Sequence, residues 1–281
     1  MPSLEDLLVQ VTEQIDTLSI DPDDQALFTR LVEGFADPRE SIRLRIADVL
    51  GEIGEPATPA LTDGLLHHHN PVVRGSCAKT LMLFGDEEAI PPLIEAALRD
   101  PDAVVRGSAV AALAKTGEAA VPELVRILAD AQTPETTKGL AAWALAFVGS
   151  EAESLLRQAL DSEDISVRAA VVGAFAKITK ETPQASNFQI LIDALHDPAA
   201  DVRAAAATAL GELAYQPAVP ALITLLDAAD WETRKAAALA LMKVGDEGAI
   251  APLQSCLATE ADPDKQAIYQ LALNQLKSAN R

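Results

Sequence analysis

A basic side chain recurs along this 281-residue chain at nearly constant spacing, and it offers the most obvious chemistry. The successive gaps between these residues are 31, 32, 32, 30, 35, 31 and 31. A guanidinium can hold a phosphate or another anion, and it can also pair with a carboxylate inside the protein. Repetition at a period of about 20–50 residues indicates a stack of similar structural units. The recurring positions are Arg43, Arg74, Arg106, Lys138, Arg168, Arg203, Arg234 and Lys265.

The other candidates for chemistry are three consecutive histidines and two cysteines. His67, His68 and His69 end a predicted helix, where neighbouring side chains point about 100° apart and cannot all bind one metal ion. We therefore expect a solvated helix end and no metal site. Cys77 and Cys256 each lie in an apolar helical run, which favours buried thiols over a disulfide. The sequence has no phosphate loop, zinc motif or nucleophile elbow, so no catalytic residue is predicted.

The net charge restricts the classes of partner. The chain has 42 acidic and 22 basic residues, which gives a formal charge of −20. Non-specific binding to nucleic acid or to an anionic membrane needs a basic surface, so both are excluded as functions. Two interpretations of the charge stay open, namely solubility of a largely apolar helical protein and attraction of a basic partner.

The recurring basic residues lie on pairs of predicted helices. Residues 86–117 show the pattern, with acids and two prolines in the first turn of one helix, a break at 100–102, and a second helix that ends at Gly117. In two repeats Thr179 and Ala214 replace the closing glycine, and the longest gap contains residues 180–184, so we expect an extended loop there. The composition, 49% hydrophobic but only 4% aromatic, favours helices packed through Ala, Leu, Val and Ile.

From about residue 38 to the C-terminus this pattern resembles the HEAT-repeat family. The features that carry the resemblance are a proline near the start of the first helix and an Asp, followed by Val-Arg, that opens the second. The resemblance implies an all-α fold, a right-handed α-α superhelix of about eight helical pairs. It also implies ladders of Asp and Arg between neighbouring repeats, so we interpret the recurring arginines as structural. The candidate pairs are Asp37 with Arg43, Asp100 with Arg106, Asp197 with Arg203, and Asp161 or Asp164 with Arg168, and Arg74 and Arg234 occupy the equivalent position.

In HEAT arrays the second helices line the concave side, so their positions outside the core are candidate contacts for a partner. Counted from the basic residue, positions +3, +7 and +10 are apolar and predict the core, whereas +2, +5 and +9 vary and share another face. An apolar patch with an aromatic anchor is typical of a protein interface. Trp143 is either that anchor or the filler of a gap, and the lysines either form a basic groove or are scattered. The candidate partner-binding residues are Lys79, Leu83, Ala111, Lys115, Leu140, Trp143, Phe147, Lys177 and Lys243.

The expected organisation is an N-terminal helical cap at 1–36 and one continuous array at 37–281. Residues 4–18 and 23–35 predict the two helices of this cap, and a mobile acidic arm is the alternative. The N-terminus lacks the basic and apolar parts of a signal peptide, and no run of 18 apolar residues is present. We therefore expect a cytoplasmic protein without an integral membrane segment.

The short, Ala-rich repeats resemble one branch of the HEAT family in particular. The stretches at 70–81, 138–147 and 231–243 are similar to cyanobacterial repeats of the phycobilisome-lyase type, the E/F-type bilin lyase subunits and their relatives. One implied function is a non-catalytic scaffold without a cofactor, whose partner is a phycobiliprotein or an A-type iron–sulphur assembly protein. The alternative is a subunit of a phycobilin lyase, in which a bilin occupies the groove.

Overall fold

The computed structural model describes residues 3–279, and within this range the chain forms seventeen α-helices and no strand. The predicted all-α class is therefore confirmed, while Met1 and Pro2 of the predicted cap lie outside the described residues. The helices are α1 (Leu4–Asp16), α2 (Gln25–Glu33), α3 (Glu40–Ile53), α4 (Thr58–His67), α5 (Pro71–Phe84), α6 (Ile90–Arg99), α7 (Ala103–Lys115), α8 (Val121–Ala129), α9 (Glu135–Leu145), α10 (Glu153–Ala159), α11 (Ile165–Glu181), α12 (Ala185–Ala194), α13 (Ala200–Glu212), α14 (Val219–Thr224), α15 (Trp231–Val244), α16 (Ile250–Thr259) and α17 (Pro263–Ala279).

These helices form two compact units, Met1–Ala152 and Glu153–Arg281. In the first unit α4 packs on α5, α6 on α7 and α8 on α9, which gives the antiparallel pairs of the repeat. The second helices of successive pairs, α3, α5, α7 and α9, also pack side by side. The helix α1 packs on α3 and α2 packs on α4, so the N-terminal helices continue both layers.

The second unit repeats this arrangement from α10 to α17. Here α11, α13, α15 and α17 are the second helices, and each packs on the next. The helices α13 and α15 come very close, since a Cβ built on Gly211 would lie 2.6 Å from the Cα of Ala240. The core of this second unit contains mainly Leu, Val and Ala, and its largest buried side chains are Phe175 and Tyr269.

Prolines and short polar side chains explain where the helices begin. Pro59, Pro91, Pro122 and Pro220 occupy the first turn of α4, α6, α8 and α14, where a missing N–H costs nothing. Four of the second helices, α5, α7, α11 and α15, begin at a side-chain cap. Asp102, for example, accepts hydrogen bonds from the backbone N–H groups of Val104 and Val105, as the break at 100–102 predicted.

Glycines with positive φ end several of the second helices. Gly54, Gly85, Gly117, Gly149 and Gly245 all have φ between 64° and 82°, which a residue without Cβ adopts at little cost.

The two repeats in which another residue replaces the closing glycine end their second helices differently. Ala214 adopts the left-handed conformation itself, with φ 47°. Thr179 does not, because α11 continues through it to Glu181 and its buried hydroxyl donates to the carbonyl of Phe175. The expected extended loop at 180–184 is therefore only partly correct, since residues 180 and 181 lengthen a helix.

Both cysteines are free thiols, as expected, but their environments differ. Cys77 is fully buried, whereas Cys256 is partly accessible. Burial raises the pKa of both thiols above the ordinary value, so neither is activated as a nucleophile. In the part of the chain that the structure describes, no helix combines the length and the apolar character needed to cross a bilayer.

Candidate functional site

The largest aromatic group exposed on the second-helix face lies at the end of α9. Trp143 and Phe147 are each 46% exposed, and their ring centroids are 4.6 Å apart with an interplanar angle of 40°. The structure therefore does not show Trp143 filling a gap in the core. Phe147 was expected on the same helix, but α9 ends at Leu145 and Phe147 lies in the turn after it, where its N–H bonds the carbonyl of Ala144. The turn still brings the two rings together.

The remaining apolar candidates lie on the same faces of α5, α7 and α9. Leu83 is exposed on α5, and its side chain lies over Gly51 of α3, where a Cβ would meet the leucine Cδ1 at 2.8 Å. Ala111 on α7 and Leu140 on α9 are half-buried. Because α5, α7 and α9 pack side by side, these residues belong to one surface of the first unit.

The four candidate lysines divide according to unit. Lys79 and Lys115 are exposed on α5 and α7, and within residues 3–279 neither has an ion-pair partner. In the second unit Lys177 pairs with Glu181 at 3.0 Å, and Lys243 lies 3.4 Å from Glu212. Of these four lysines, the two without an ion-pair partner are therefore those of the first unit.

The second unit has a different surface at the equivalent place. A groove of about 480 Å³ lies across α11, α13 and α15, and its floor consists largely of Gly, Ala and Thr. Glu232 and Lys235 at its rim pair with each other at 3.1 Å. This groove is shallow, and it contains no aromatic side chain.

Three of the recurring arginines bind a carboxylate of the following repeat. Arg74 donates from Nε and Nη2 to the two oxygens of Asp100, at 2.7 and 2.9 Å, and both side chains are nearly inaccessible. Arg168 bonds Asp197 in the same way, at 2.8 and 3.0 Å. Arg203 donates to Asp230 at 2.6 Å. Such two-point pairs fix the orientation of one repeat on the next.

The partners differ from the pairs expected from the sequence. In three of the expected pairs the aspartate accepts with its backbone carbonyl: Arg106 donates to the carbonyl oxygen of Asp100 at 2.8 Å, Arg43 to that of Asp37, and Arg203 to that of Asp197. Arg168 binds neither Asp161 nor Asp164, because its Nη1 donates to the carbonyls of Ser162 and Glu163. The reason is geometric, because Nη1 points back at the end of the preceding helix and the opposite edge faces the next repeat. Arg234 donates to the carbonyls of Ala228 and Ala229 in the same manner.

These contacts change the acidity of the ladder carboxylates. The hydrogen bond from Arg168 holds the pKa of Asp197 below its usual value, against the effect of burial. Burial opposes ionisation of Asp230, but bonds from Thr233 and Arg203 outweigh it and lower its pKa to about 2. The arginines are thus committed to internal carboxylates and carbonyls, and do not form an anion site.

Trp231, the second tryptophan, packs inside the second unit. Its ring meets Tyr269 of α17 edge-on at 5.8 Å, and the cations of Arg234 and Lys265 lie 5.6 and 5.4 Å from its centroid. It holds α17 on α15.

The histidine run is less solvated than expected. His67 is exposed and lies 3.1 Å from Asp63, but the imidazole of His68 is only 8% exposed. Its Nδ1 accepts from the N–H of Asn70 and its Nε2 lies 3.4 Å from Glu33. The loop after α4 therefore folds His68 back onto α2. Over residues 3–279 no cluster of three His, Cys, Asp or Glu side chains could hold a metal ion.

Two exposed residues of the second-helix face were missed by the sequence analysis. Val72 and Val104 each lie two residues before the recurring arginine, on α5 and α7, and both are largely exposed. The signal was present, because position −2 shares a helix face with +5 and +9. Periodicity alone did not distinguish these exposed valines at the helix starts from valines of the core.

The chain matches two families of repeats. HEAT repeats match residues 28–114 and 188–273, and the PBS lyase HEAT-like repeat matches residues 105–130. Among proteins of known sequence, the chain is 38% identical over 248 residues to the bilin biosynthesis protein MpeU from Synechococcus sp. (strain WH8020). That alignment covers 88% of this chain and 84% of the relative.

Solved structures with similar folds include two much longer proteins. A crystal structure of Kap121p superposes with a TM-score of 0.58 at 15% identity, over 99% of this chain and 38% of Kap121p. Importin beta superposes with a TM-score of 0.54 at 16% identity, over 89% of this chain and 41% of importin beta. The chain spans about two fifths of either protein, and at such identities the likeness concerns the fold alone.

Proposed function

Since the chain belongs to the HEAT-repeat family, with repeats of the phycobilisome-lyase type, we propose that it binds a protein partner on the second-helix face of its first unit and acts as a non-catalytic scaffold in phycobilisome assembly. The observation that carries this proposal is the exposed Trp143–Phe147 pair. The partner of this proposal is an apo-phycobiliprotein, and the compartment is the cytoplasm. HEAT arrays present extended surfaces to partners, and this face supplies an anchor for one.

The energetic argument rests on the aromatic pair. Truncating an aromatic anchor at the centre of an interface commonly costs about 2–4 kcal/mol of binding free energy. Trp143 already packs on Phe147, so its rotamer is restricted before a partner arrives and little entropy remains to be lost. Lys79 and Lys115 lie on the neighbouring helices and can attract carboxylates of the partner.

A second candidate function is that of a bilin lyase subunit, and the similarity to a bilin biosynthesis protein over most of the chain favours it. In this case the same face would also hold the open-chain tetrapyrrole. Its flat rings would stack on Trp143, and its two propionates would pair with Lys79 and Lys115. A HEAT co-subunit would complete the activity.

Co-expression distinguishes the two candidates. The chain is produced with a bilin source and an apo-phycobiliprotein, with and without a HEAT co-subunit, and the purified complexes are examined for bound phycobiliprotein and for visible absorbance. A lyase subunit gives a phycobiliprotein that keeps its absorbance band under denaturing conditions, which shows a covalent bilin. A scaffold gives the complex without the covalent band.

Trp143→Ala tests the site in both cases. We expect it to weaken capture of the phycobiliprotein by about tenfold or more, because the anchor is lost. The matched control is Leu271→Ala, which removes an equally exposed apolar side chain from α17 in the second unit. Equal capture by wild type and Trp143→Ala would refute the site. An A-type iron–sulphur scaffold protein serves as the alternative bait, and its exclusive capture would refute the phycobiliprotein.

A further inference from the structure

Acidic residues are nearly absent from three second helices of the first unit. The helices α5 and α7 contain no acidic residue, and α9 has a single one, Glu135, at its first position. The whole chain has 42 acidic residues. On the shared face of these three helices a strongly acidic protein therefore presents Lys79 and Lys115, neither of which has an ion-pair partner within residues 3–279.

The same face is apolar as well as basic. Val104 is 67% exposed at the start of α7, and Val72 is about half exposed at the equivalent place on α5. Trp143 and Phe147 close the surface on α9. Positions −2, +5 and +9 from the repeat's basic residue lie within about 40° of one another around a helix, so these groups and the lysines form one continuous surface.

Two glycines, Gly107 on α7 and Gly139 on α9, leave the backbone beside this surface uncovered, whereas Gly75 on α5 is buried and a Cβ there would lie 3.8 Å from Val105. Gly75, Gly107 and Gly139 each follow the repeat's basic residue directly. A Cβ on Gly107 or Gly139 would have no neighbour within 4 Å. Gly51 and Gly64 are different, since a Cβ there would meet Leu83 and Val32 of the same unit at 2.8 and 2.6 Å.

Packing inside the unit therefore does not require glycine at 107 or 139. An interior helical glycine destabilises a helix by about 1 kcal/mol relative to alanine. What glycine provides at such a position is close approach of another chain to the backbone.

We propose that this face of α5, α7 and α9 is the docking site for an acidic amphipathic helix of the partner protein. Its carboxylates meet Lys79 and Lys115, its apolar side covers Val104 and Trp143, and its backbone passes close to Gly107. Three helices spaced by about 8–10 Å span about 20 Å, which corresponds to about 13 residues of helix. The inference rests on the proposed function for the existence of a protein partner, and it adds the chemistry of the segment that binds.

Two synthetic helices test the charge requirement. One labelled peptide of about 18 residues carries Glu on its polar face and Leu and Ala on the other, and the second carries Lys in place of every Glu. Fluorescence anisotropy with the full chain should show binding of the Glu peptide that weakens as salt is raised, and no comparable binding of the Lys peptide. The double variant Lys79→Glu, Lys115→Glu should weaken the Glu peptide by about tenfold or more. Equal binding of both peptides would overturn the proposal.

Glycine substitutions test the close approach. We expect Gly107→Gln and Gly139→Gln to lower the affinity for the Glu peptide by about tenfold. The matched control is Gly173→Gln on α11, where a Cβ also meets nothing within 4 Å but the face belongs to the second unit. Thermal melts should show all three variants folded, and Gly107→Ala supplies a milder change at the same place. Equal affinity of the Gly107 and Gly173 variants would refute a close approach at α7.

Further outcomes would show another occupant of this face, or would separate a failure of the docking site from a failure of the proposed function. Self-association of the chain that the same substitutions abolish, measured by sedimentation, would show that a second copy occupies the face and would overturn the acidic helix. Binding of the Glu peptide without any capture of apo-phycobiliprotein would refute the proposed function and leave the docking site standing. Capture of apo-phycobiliprotein that Gly107→Gln and the lysine reversals leave unchanged would refute the docking site alone.

Discussion

At the scale of the residue, the recurring arginine makes two different contacts with two edges of one guanidinium. In Arg74, Nη1 donates to the carbonyls of His68 and His69, and the opposite edge holds Asp100 of the following repeat. A lysine cannot make both contacts, since it has a single cationic nitrogen. The recurring arginines therefore make structural contacts: all six donate to carbonyls at the end of the preceding helix, and three of them also join the next repeat.

Removing one ladder carboxylate should destabilise the first unit. We expect Asp100→Asn to lower the free energy of unfolding by about 2–3 kcal/mol, because a nearly inaccessible guanidinium loses its charged partner. Asp48→Asn, at an exposed position on α3, is the control and should change it by less than about 0.5 kcal/mol. Urea denaturation followed by circular dichroism measures both, and equal effects would contradict a structural role for the pair.

The ladder also predicts how stability depends on acid. A carboxyl group whose pKa is lowered by folding contributes stability above its unfolded pKa of about 3.9 and loses it as pH falls through the folded pKa. For Asp230 the folded pKa is about 2, so its contribution should disappear between about pH 4 and pH 2. Thermal melts across this range should show the gap between wild type and Asp230→Asn closing as pH falls. A gap that widened instead would contradict the assignment.

Ala214 is a residue in a conformation that favours glycine. Its φ of 47° lies where five glycines end other repeats, and the left-handed region costs an L-residue about 1–2 kcal/mol. We expect Ala214→Gly to stabilise the second unit by up to about 1 kcal/mol, after the greater entropy of unfolded glycine is subtracted. Ala205→Gly within α13 is the opposite control and should destabilise by about 1 kcal/mol. A loss of stability in Ala214→Gly would show that the strain is absent.

At the scale of the element, glycine has three separate uses in this chain. At Gly85 and Gly245 it supplies positive φ after a helix, at Gly211 it permits close helix packing, and at Gly107 it leaves backbone open. Helix periodicity gave the helices and their order, but it did not separate these uses. Periodicity also did not separate the two positions that lack the closing glycine. At Thr179 the helix continues, whereas at Ala214 the alanine itself adopts the left-handed conformation.

The close packing of α13 on α15 can be tested by one methyl group. Gly211→Ala would place its Cβ 2.6 Å from the Cα of Ala240, so the two helices must separate. We expect a loss of about 1–3 kcal/mol in the free energy of unfolding. Gly173→Ala on the neighbouring α11 meets open space and should stabilise by up to about 1 kcal/mol. Chemical denaturation of both variants is the measurement, and a stable Gly211→Ala would contradict the packing.

At the scale of the whole molecule, charge controls what the chain will associate with. A formal charge of −20 at pH 7 keeps copies of the chain apart, and the isoelectric point is near 4.5. We expect light scattering to show self-association as pH falls from 7 toward 4.5, because repulsion between copies is lost. Added salt at pH 7 should produce a weaker effect by screening. Scattering that stayed constant down to the isoelectric point would contradict this account.

The sequence by itself determined the repeat, the helical class and the core positions, because helix periodicity and the recurring basic residue are local properties of the chain. It also identified Asp100 and Arg74 as ladder residues. The exposure of Trp143 came only from the structure. Only the tertiary structure decided that Asp100 joins Arg74 rather than Arg106, since this depends on which edge of a guanidinium faces the next repeat. It likewise decided that Lys79 and Lys115 stay unpaired while Lys243 meets Glu212, because ion pairs form between residues that packing brings together.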